Sequence, residues 1–177
     1  MTKEQNLKHV FEVAGRESYL WLSTANHLKR GANLILVELN KSLAVYPYGR
    51  ASYEELTLCL PYMLLSGYAL ENLIKGILIG RNPSIIDNGS FNRDMIKGAK
   101  DGHISLEMIE QILIDLSKDE KYLIRRLREF VRWESRYPIP NKSIEMEPPE
   151  FRTTDPVMIN QIFDRLSSIL ESENASR

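Results

Sequence analysis

The stretch from Leu56 to Gly80 most constrains the fold, because it is the most apolar segment of the chain. A membrane-spanning helix needs about 20 predominantly apolar residues, so the segment has sufficient length. Glu71 and Lys75 lie within it, however, and the uncharged stretch before them is too short to cross a bilayer. We therefore expect a helix buried in a protein core, with no membrane partner.

The composition predicts one globular domain that spans residues 1–177. Apolar residues make up 43% of the chain and charged residues 27%, a mixture typical of proteins that fold around a core. The 23 lysines and arginines almost balance the 24 aspartates and glutamates, so the net charge gives no general attraction to nucleic acid or anionic membranes. Binding to either must come from a local patch.

Cysteine usage and the N-terminal segment predict a cytoplasmic protein. Cys59 is the single cysteine and lies among apolar residues, so it cannot form an internal disulfide. The segment from Met1 to His9 is polar and lacks the apolar core of a secretory signal.

Apolar residues spaced three and four apart predict a chain of helices and an all-α fold. The predicted helices cover about 4–14, 17–43, 52–80, 105–116, 117–135 and a last segment from 155. Two pairs, Ser52 with Glu55 and Ser117 with Glu120, have capping-box spacing. Residues 81–102 are expected to be mostly loop, and no strand is predicted.

Three local details of these helices can be tested. Pro61 should either kink its helix or begin the second half of it, because proline lacks the donor N–H. Asp155 is expected to cap the last helix, with Pro156 at its first position. The predicted apolar side of that helix consists of Val157, Ile159, Ile162, Phe163, Leu166 and Leu170.

A narrow polar stripe crosses the apolar helix. At about 100° per residue, Tyr68, Glu71, Asn72 and Lys75 lie within roughly 100° of one another. Glu71 precedes Lys75 by four residues, which is the favourable orientation for a helical ion pair. The stripe is interpreted either as the solvated edge of a core helix or as a polar functional site.

Basic side chains form a row along the helix predicted for residues 117–135 and at its C-terminal end. Arg125, Arg128, Arg132 and Arg136 project within roughly 80° of one another, and Lys121 extends the row by one turn. Guanidinium groups suit phosphate oxygens, and Trp133 or Tyr137 could stack on a base. The alternative is a solvated row that pairs with neighbouring acidic groups.

His103 is the only histidine in the central part of the chain. Histidine can serve as a general base or a metal ligand, but at a helix entrance it is more often structural. No metal-ligand spacing, phosphate-binding loop or nucleophile motif accompanies it, so neither a metal nor a cofactor is predicted.

Three islands of sequence together resemble the HEPN superfamily (higher eukaryotes and prokaryotes nucleotide-binding domains). They are GYALENLIKG at 67–76, GHISLEMIE at 102–110 and RYP at 136–138. Their order and spacing resemble the family core over about 52–140. The resemblance implies a bundle of four to six helices with an up-and-down antiparallel core, on which the N- and C-terminal helices pack. It also implies a homodimer.

The resemblance further implies a shared polar cluster. Ribonucleases of the family carry an arginine followed after four to six residues by a histidine, and no arginine precedes His9, His27 or His103 at that distance. The chain is therefore similar to the RYP-containing branch without this motif. The residues carried over from the family are Gly67, Tyr68, Glu71, Lys75, His103, Arg136 and Tyr137.

Three functional hypotheses follow. The first is a noncatalytic module that binds a nucleotide, RNA or a protein, in a bacterial defence or toxin–antitoxin system, with Tyr68, Glu71, Lys75, His103, Arg132, Arg136 and Tyr137 as ligand-binding residues. The second is a divergent, metal-independent endoribonuclease in which Glu71, Lys75, His103 and Arg136 converge. The third is a structural or regulatory partner protein, which should expose a large apolar patch.

Overall fold

The computed structural model describes residues 2–45, 57–112, 114–134 and 150–176, and within them the fold is all-α as expected. Six α-helices lie in these ranges, and a π-helical turn at Phe130–Glu134 continues the fifth. They are α1 (Lys3–Arg16), α2 (Ser18–Val45), α3 (Cys59–Arg81), α4 (Leu106–Glu110), α5 (Lys118–Glu129) and α6 (Asp155–Ala175).

Helix α3 forms the centre of the core. It packs along α2 and also contacts α6, α5 and the π-helical turn. By length and composition, α3 could span a membrane, but most of its apolar window is buried inside the fold. It begins at Cys59, so Pro61 occupies its first turn, where a missing N–H costs no helical hydrogen bond. Residues 52–56, with the expected cap at Ser52 and Glu55, lie outside the described residues.

Two glycines of α3 allow neighbouring elements to approach closely. A Cβ at Gly67 would lie 2.6 Å from Cγ2 of Val131, and one at Gly76 would lie 2.8 Å from Cβ of Trp21. Real Cβ atoms do not pack this tightly. Glycine at these two positions therefore sets how closely α3 lies to α2 and to the π-helical turn.

The capping box predicted for α5 is confirmed. The Ser117 hydroxyl accepts the backbone N–H of Glu120 at 3.2 Å, and the Glu120 carboxylate accepts that of Ser117 at 2.8 Å. The predicted inward residues of α5 and its continuation are buried, namely Leu123, Leu127, Phe130 and Val131.

The prediction of a helix over residues 105–116 is wrong in length. Helix α4 ends at Glu110, and the side chain of Gln111 then donates to the backbone carbonyls of Lys97 and Glu107. Ile112 and Leu116 are still buried, as their spacing suggested. Apolar side chains can also reach the core from non-helical backbone. Their spacing alone therefore does not determine where the helix ends.

The expectation that no strand is present is also wrong. Two short strands, β1 (Ile86–Asp87) and β2 (Ser90–Phe91), pair in antiparallel register. The turn between them is Asn88-Gly89, with φ of 53° and 71°. Asn-Gly is the residue pair that most favours a two-residue hairpin turn, because both positions adopt positive φ readily.

The start of α6 differs in two details from expectation. Thr154 is the N-cap and Asp155 is the first helical residue, although the Asp155 carboxylate still accepts the N–H of Arg152 at 2.8 Å. Val157 is 58% exposed instead of buried. At about 100° per residue it lies on the side of α6 opposite Ile159, which is buried with the other predicted apolar residues Ile162, Phe163, Leu166 and Leu170.

Candidate functional site

The polar stripe of α3 forms a buried ion pair. Lys75 Nζ lies 2.6 Å from Glu71 Oε1, one helical turn away. Glu71 is only 6% exposed. The pair therefore is not the solvated edge of a helix, and its charges require further partners inside the fold.

Those partners are backbone groups of the loop before α4. Glu71 Oε2 accepts the N–H of Ile104 at 3.0 Å, and Lys75 Nζ donates to the carbonyl of Gly102 at 2.8 Å. Lys75 also lies 5.6 Å from the centre of the Phe91 ring. We call this arrangement the loop clamp, since one ion pair binds an N–H and a carbonyl two residues apart and fixes the loop to α3.

His103 lies between the two anchor points of the loop clamp. Its Nδ1 is enclosed and lies 3.6 Å from Glu71 Oε2, slightly beyond hydrogen-bond distance, while its side chain is 22% exposed. Its backbone N–H donates to Asp101 Oδ1 at 3.2 Å. The Nδ1 edge of the imidazole thus faces the Glu71 carboxylate, while another part of the ring reaches the protein surface.

The environment favours the ionised form of Glu71. Burial raises the pKa of this carboxyl, whereas the adjacent His103 ring and the Lys75 ammonium lower it, and the net pKa lies below the ordinary value. Glu71 is accordingly a carboxylate at neutral pH. It acts as an acceptor for Lys75 and the loop and is not suited to donate a proton.

Asp101 joins the loop to the basic row of α5. Its Oδ2 lies 2.7 Å from Arg128 and 3.4 Å from Arg132, and Arg132 also contacts Glu129 at 3.2 Å. Burial raises the pKa of Asp101, but Arg128 and the His103 N–H lower it, so the net pKa lies below its ordinary value. The carboxylate is therefore held between two partly exposed guanidinium groups.

The structure brings together only some of the predicted site residues. Glu71, Lys75 and His103 form the loop clamp and its edge, and Arg132 approaches them through Asp101. The side chain of Tyr68 is partly buried on α3. The backbone carbonyl of Tyr68 accepts a hydrogen bond from the side-chain amide of Asn72 at 2.8 Å. Within the described residues, no hydrogen bond of the Tyr68 hydroxyl joins it to the cluster. Arg136 and Tyr137 lie outside the described residues.

Two residues that form ion pairs in the structure were not predicted from the sequence. Asp101 was not singled out, although an acidic residue next to Gly102-His103 could have suggested a link to the basic row. The second is Arg126, which donates to both oxygens of the fully buried Asp155 at 2.7 and 2.6 Å. Arg126 lies on the same side of α5 as Leu123 and Leu127, and an arginine on an apolar face indicates a buried acidic partner.

The polar groups of the site differ in exposure and in whether other residues already hold them. In the described part of the chain, no group of three or more His, Cys, Asp or Glu side chains could hold a metal ion. Glu71 and Lys75 are engaged with the loop, whereas His103, the α5 arginines and the carboxylates of Asp101 and Glu129 are at least partly exposed. No protein-family model, curated protein or solved structure matches the chain.

Proposed function

We propose that the protein is a noncatalytic, HEPN-like module that binds phosphate groups of RNA or of a nucleotide on α5. The proposed surface, here called the basic surface, consists of Lys121, Arg125, Arg128 and Arg132. The observation that carries the proposal is the position of Asp101, whose carboxylate lies between the guanidinium groups of Arg128 and Arg132. Guanidinium groups that hold a carboxylate oxygen in this way also suit a phosphate oxygen.

The charges around the basic surface favour an anionic ligand. Lys121 and Arg125 are exposed, and Arg128 and Arg132 are partly exposed. Within the part of the chain that the structure describes, Asp101 and Glu129 contact this surface. Basic side chains thus line one side of α5, although the chain as a whole is nearly neutral.

Binding is favoured over cleavage because the side chains of the loop clamp, Glu71 and Lys75, are already bonded to each other and to the loop. Lys75 would have to release Glu71 and the Gly102 carbonyl before it could stabilise a reacting phosphate. The sequence also lacks the arginine–histidine spacing of the ribonucleases that it resembles. Glu71 and Lys75, expected as ligand-binding residues, are better explained as supports for the loop that carries His103.

The proposal is tested by fluorescence anisotropy with a labelled, mixed-sequence, single-stranded oligoribonucleotide. Arg125→Gln and Arg128→Gln should each weaken binding several-fold, whereas Arg30→Gln, which removes an exposed arginine from α2, should not. Affinity should fall with salt, with a logarithmic slope of about 0.7 per phosphate contacted. Competition with ATP distinguishes RNA from a nucleotide as the ligand, because ATP should displace the labelled RNA only from a site that binds nucleotides. Equal binding by parent and both α5 variants would refute the proposal.

A second candidate is a divergent, metal-independent endoribonuclease, and the observation that favours it is His103. Its ring is partly exposed next to a carboxylate, and the arginines that hold Asp101 are nearby. The test is cleavage of the same RNA in EDTA by the parent, His103→Ala and Arg136→Ala. Activity that disappears in both variants would support this candidate, and no cleavage by the parent would exclude it.

A further inference from the structure

Arg93 is an exposed arginine that lies against the loop of the loop clamp. It begins a short 3-10 turn, Arg93–Met95, and its side chain packs on Gly102. A Cβ on Gly102 would lie 3.4 Å from Nη1 and 3.5 Å from Cδ of Arg93. Gly102 itself has a φ of 82°, a conformation that favours glycine. Arg93 thus rests on the loop that also carries Asp101 and His103.

Most arginines in the described part of the chain are already held by carboxylates. Those in ion pairs are Arg16, Arg81, Arg126, Arg128, Arg132, Arg152 and Arg165. Among the described arginines, Arg30, Arg93 and Arg125 form no ion pair. Arg30 lies on α2, whereas Arg125 belongs to the basic surface and Arg93 lies on the loop that contacts this surface through Asp101. Two arginines near the Asp101 contact can therefore bind an external anion without first breaking an ion pair.

A short piece of loop joins Arg93 to the basic surface. Asp101 Oδ2 lies 2.7 Å from Arg128, and the next residue, Gly102, contacts the Arg93 side chain. Neighbouring Cα atoms across a trans peptide are about 3.8 Å apart, so the guanidinium groups of Arg93 and Arg128 lie within roughly 15 Å of each other. Lys100, the residue before Asp101, is also exposed. Cationic side chains therefore continue from α5 across the loop.

Two carboxylates lie near this path and differ in their relation to it. Asp94 follows Arg93 in the 3-10 turn, where consecutive side chains project about 120° apart, so the two side chains leave the turn in different directions. Asp101 lies on the path itself, between the guanidinium groups of Arg128 and Arg132. Its carboxylate occupies the position that the proposed function gives to a phosphate.

We propose that Arg93 binds a further phosphate of the same ligand, and that this ligand is a single strand of RNA instead of a single nucleotide. The inference rests on the function proposed above. The phosphates of a nucleotide share bridging oxygens and form one short chain, whereas a strand carries a phosphate at every nucleotide. The basic surface runs about 16 Å along α5 from Lys121 to Arg132, and the loop extends it to Arg93. A path of this length suits a flexible strand whose backbone follows the cations.

The experiment measures fluorescence anisotropy with labelled oligoribonucleotides from a dinucleotide to a dodecanucleotide. For the longest strand, Arg93→Gln should weaken binding several-fold and lower the logarithmic salt slope by about 0.7, the value for one phosphate contact of a single strand. The difference between parent and Arg93→Gln should narrow as the strand is shortened. Arg93→Lys keeps the charge and should retain most of the affinity. Arg30→Gln is the matched control, because Arg30 is also exposed and forms no ion pair within the described residues. Circular dichroism checks that each variant is folded.

The results separate this inference from the proposed function. If Arg125→Gln and Arg128→Gln weaken binding while Arg93→Gln binds every strand as the parent does, the role of Arg93 is refuted and the basic surface remains. If the affinity of the parent does not rise with strand length and ATP displaces the RNA, the ligand is a nucleotide and the inference fails. Equal binding of the longest strand by the parent and all three variants would refute both proposals.

Discussion

Glu71 and Ile104 are 33 residues apart in sequence, yet the Glu71 carboxylate accepts the backbone N–H of Ile104 at 3.0 Å in the interior. The same carboxylate pairs with Lys75, whose ammonium binds the Gly102 carbonyl. One ionised residue of α3 thus fixes the position of the loop that contains His103. Its removal should affect both the stability of the fold and the order of the loop.

Glu71→Gln is expected to lower the free energy of unfolding by about 2–4 kcal/mol, because it leaves the largely buried Lys75 ammonium without its charged partner. Urea denaturation followed by circular dichroism measures the change. Glu171→Gln, on the exposed side of α6, should change stability by less than about 0.5 kcal/mol. A double variant, Glu71→Leu with Lys75→Met, should recover part of the loss, since it removes both charges together.

The contribution of Glu71 to stability should depend on pH. Its pKa in the folded protein lies below the ordinary value of 4.5, so its contribution is fully present above that pH. It is lost as pH falls through the lowered folded-state pKa. The difference in unfolding free energy between the parent and Glu71→Gln should therefore be constant from about pH 7 to 5 and shrink below about 4.5. A difference that stays constant down to pH 3 would contradict the lowered pKa.

Apart from the end of α4, the helices were predictable because their signals are local in sequence. Apolar spacing of three and four marked α2 and α6, and Ser117 with Glu120 marked the start of α5. The hairpin was missed because two paired residues on each strand are too few to produce an alternating pattern. Only the Asn88-Gly89 dipeptide indicated it.

The site was only partly predictable because its decisive contacts are distant in sequence. The Glu71–Lys75 pair lies within one helical turn, so its spacing was readable. The contacts of Asp101 with Arg128 and of Glu71 with Ile104 join residues 27 and 33 positions apart. No local pattern encodes such a pairing, so the sequence predicts a ligand for Lys75 where the structure gives it the Gly102 carbonyl.

Asp101→Asn should tighten binding of RNA if the basic surface is the binding site. The substitution keeps an oxygen for the His103 N–H but removes the charge that neutralises Arg128 and Arg132. We expect several-fold higher affinity in the anisotropy assay and a salt dependence steeper by about 0.7 in logarithmic slope for each phosphate gained. Asp94→Asn, at an exposed position on a neighbouring turn, serves as the control for a general change in charge. Equal gains in both variants would indicate a nonspecific effect.

Arg126→Met should destabilise the fold far more than Arg125→Met, the matched change at the next residue. Arg126 donates to both oxygens of the buried Asp155, while Arg125 is exposed. Loss of the arginine leaves a buried carboxylate without a charged partner, and we expect a cost of about 3–5 kcal/mol in the free energy of unfolding. Addition of Asp155→Asn to Arg126→Met should recover part of this cost. Equal stability of the two single variants would show that the ion pair contributes nothing.

Gly67→Ala should destabilise the packing of α3 against the π-helical turn. The added Cβ would lie 2.6 Å from Cγ2 of the buried Val131 and 3.4 Å from the Leu127 carbonyl oxygen. Overpacking of a core typically costs about 1–3 kcal/mol, and the better helix propensity of alanine offsets up to about 1 kcal/mol of this. Urea denaturation should therefore give a net loss of about 1–2 kcal/mol.

The matched control for this substitution is Gly31→Ala on α2, where the nearest atom is the flexible end of Leu65 at 3.3 Å. That side chain can move by a few tenths of an ångström, so the change should be neutral or slightly stabilising. A double-mutant cycle with Val131→Ala locates the clash. If close packing of Gly67 against Val131 is the cause, Gly67→Ala should cost less in the Val131→Ala background than in the parent. An unchanged cost would place the strain at the Leu127 carbonyl instead.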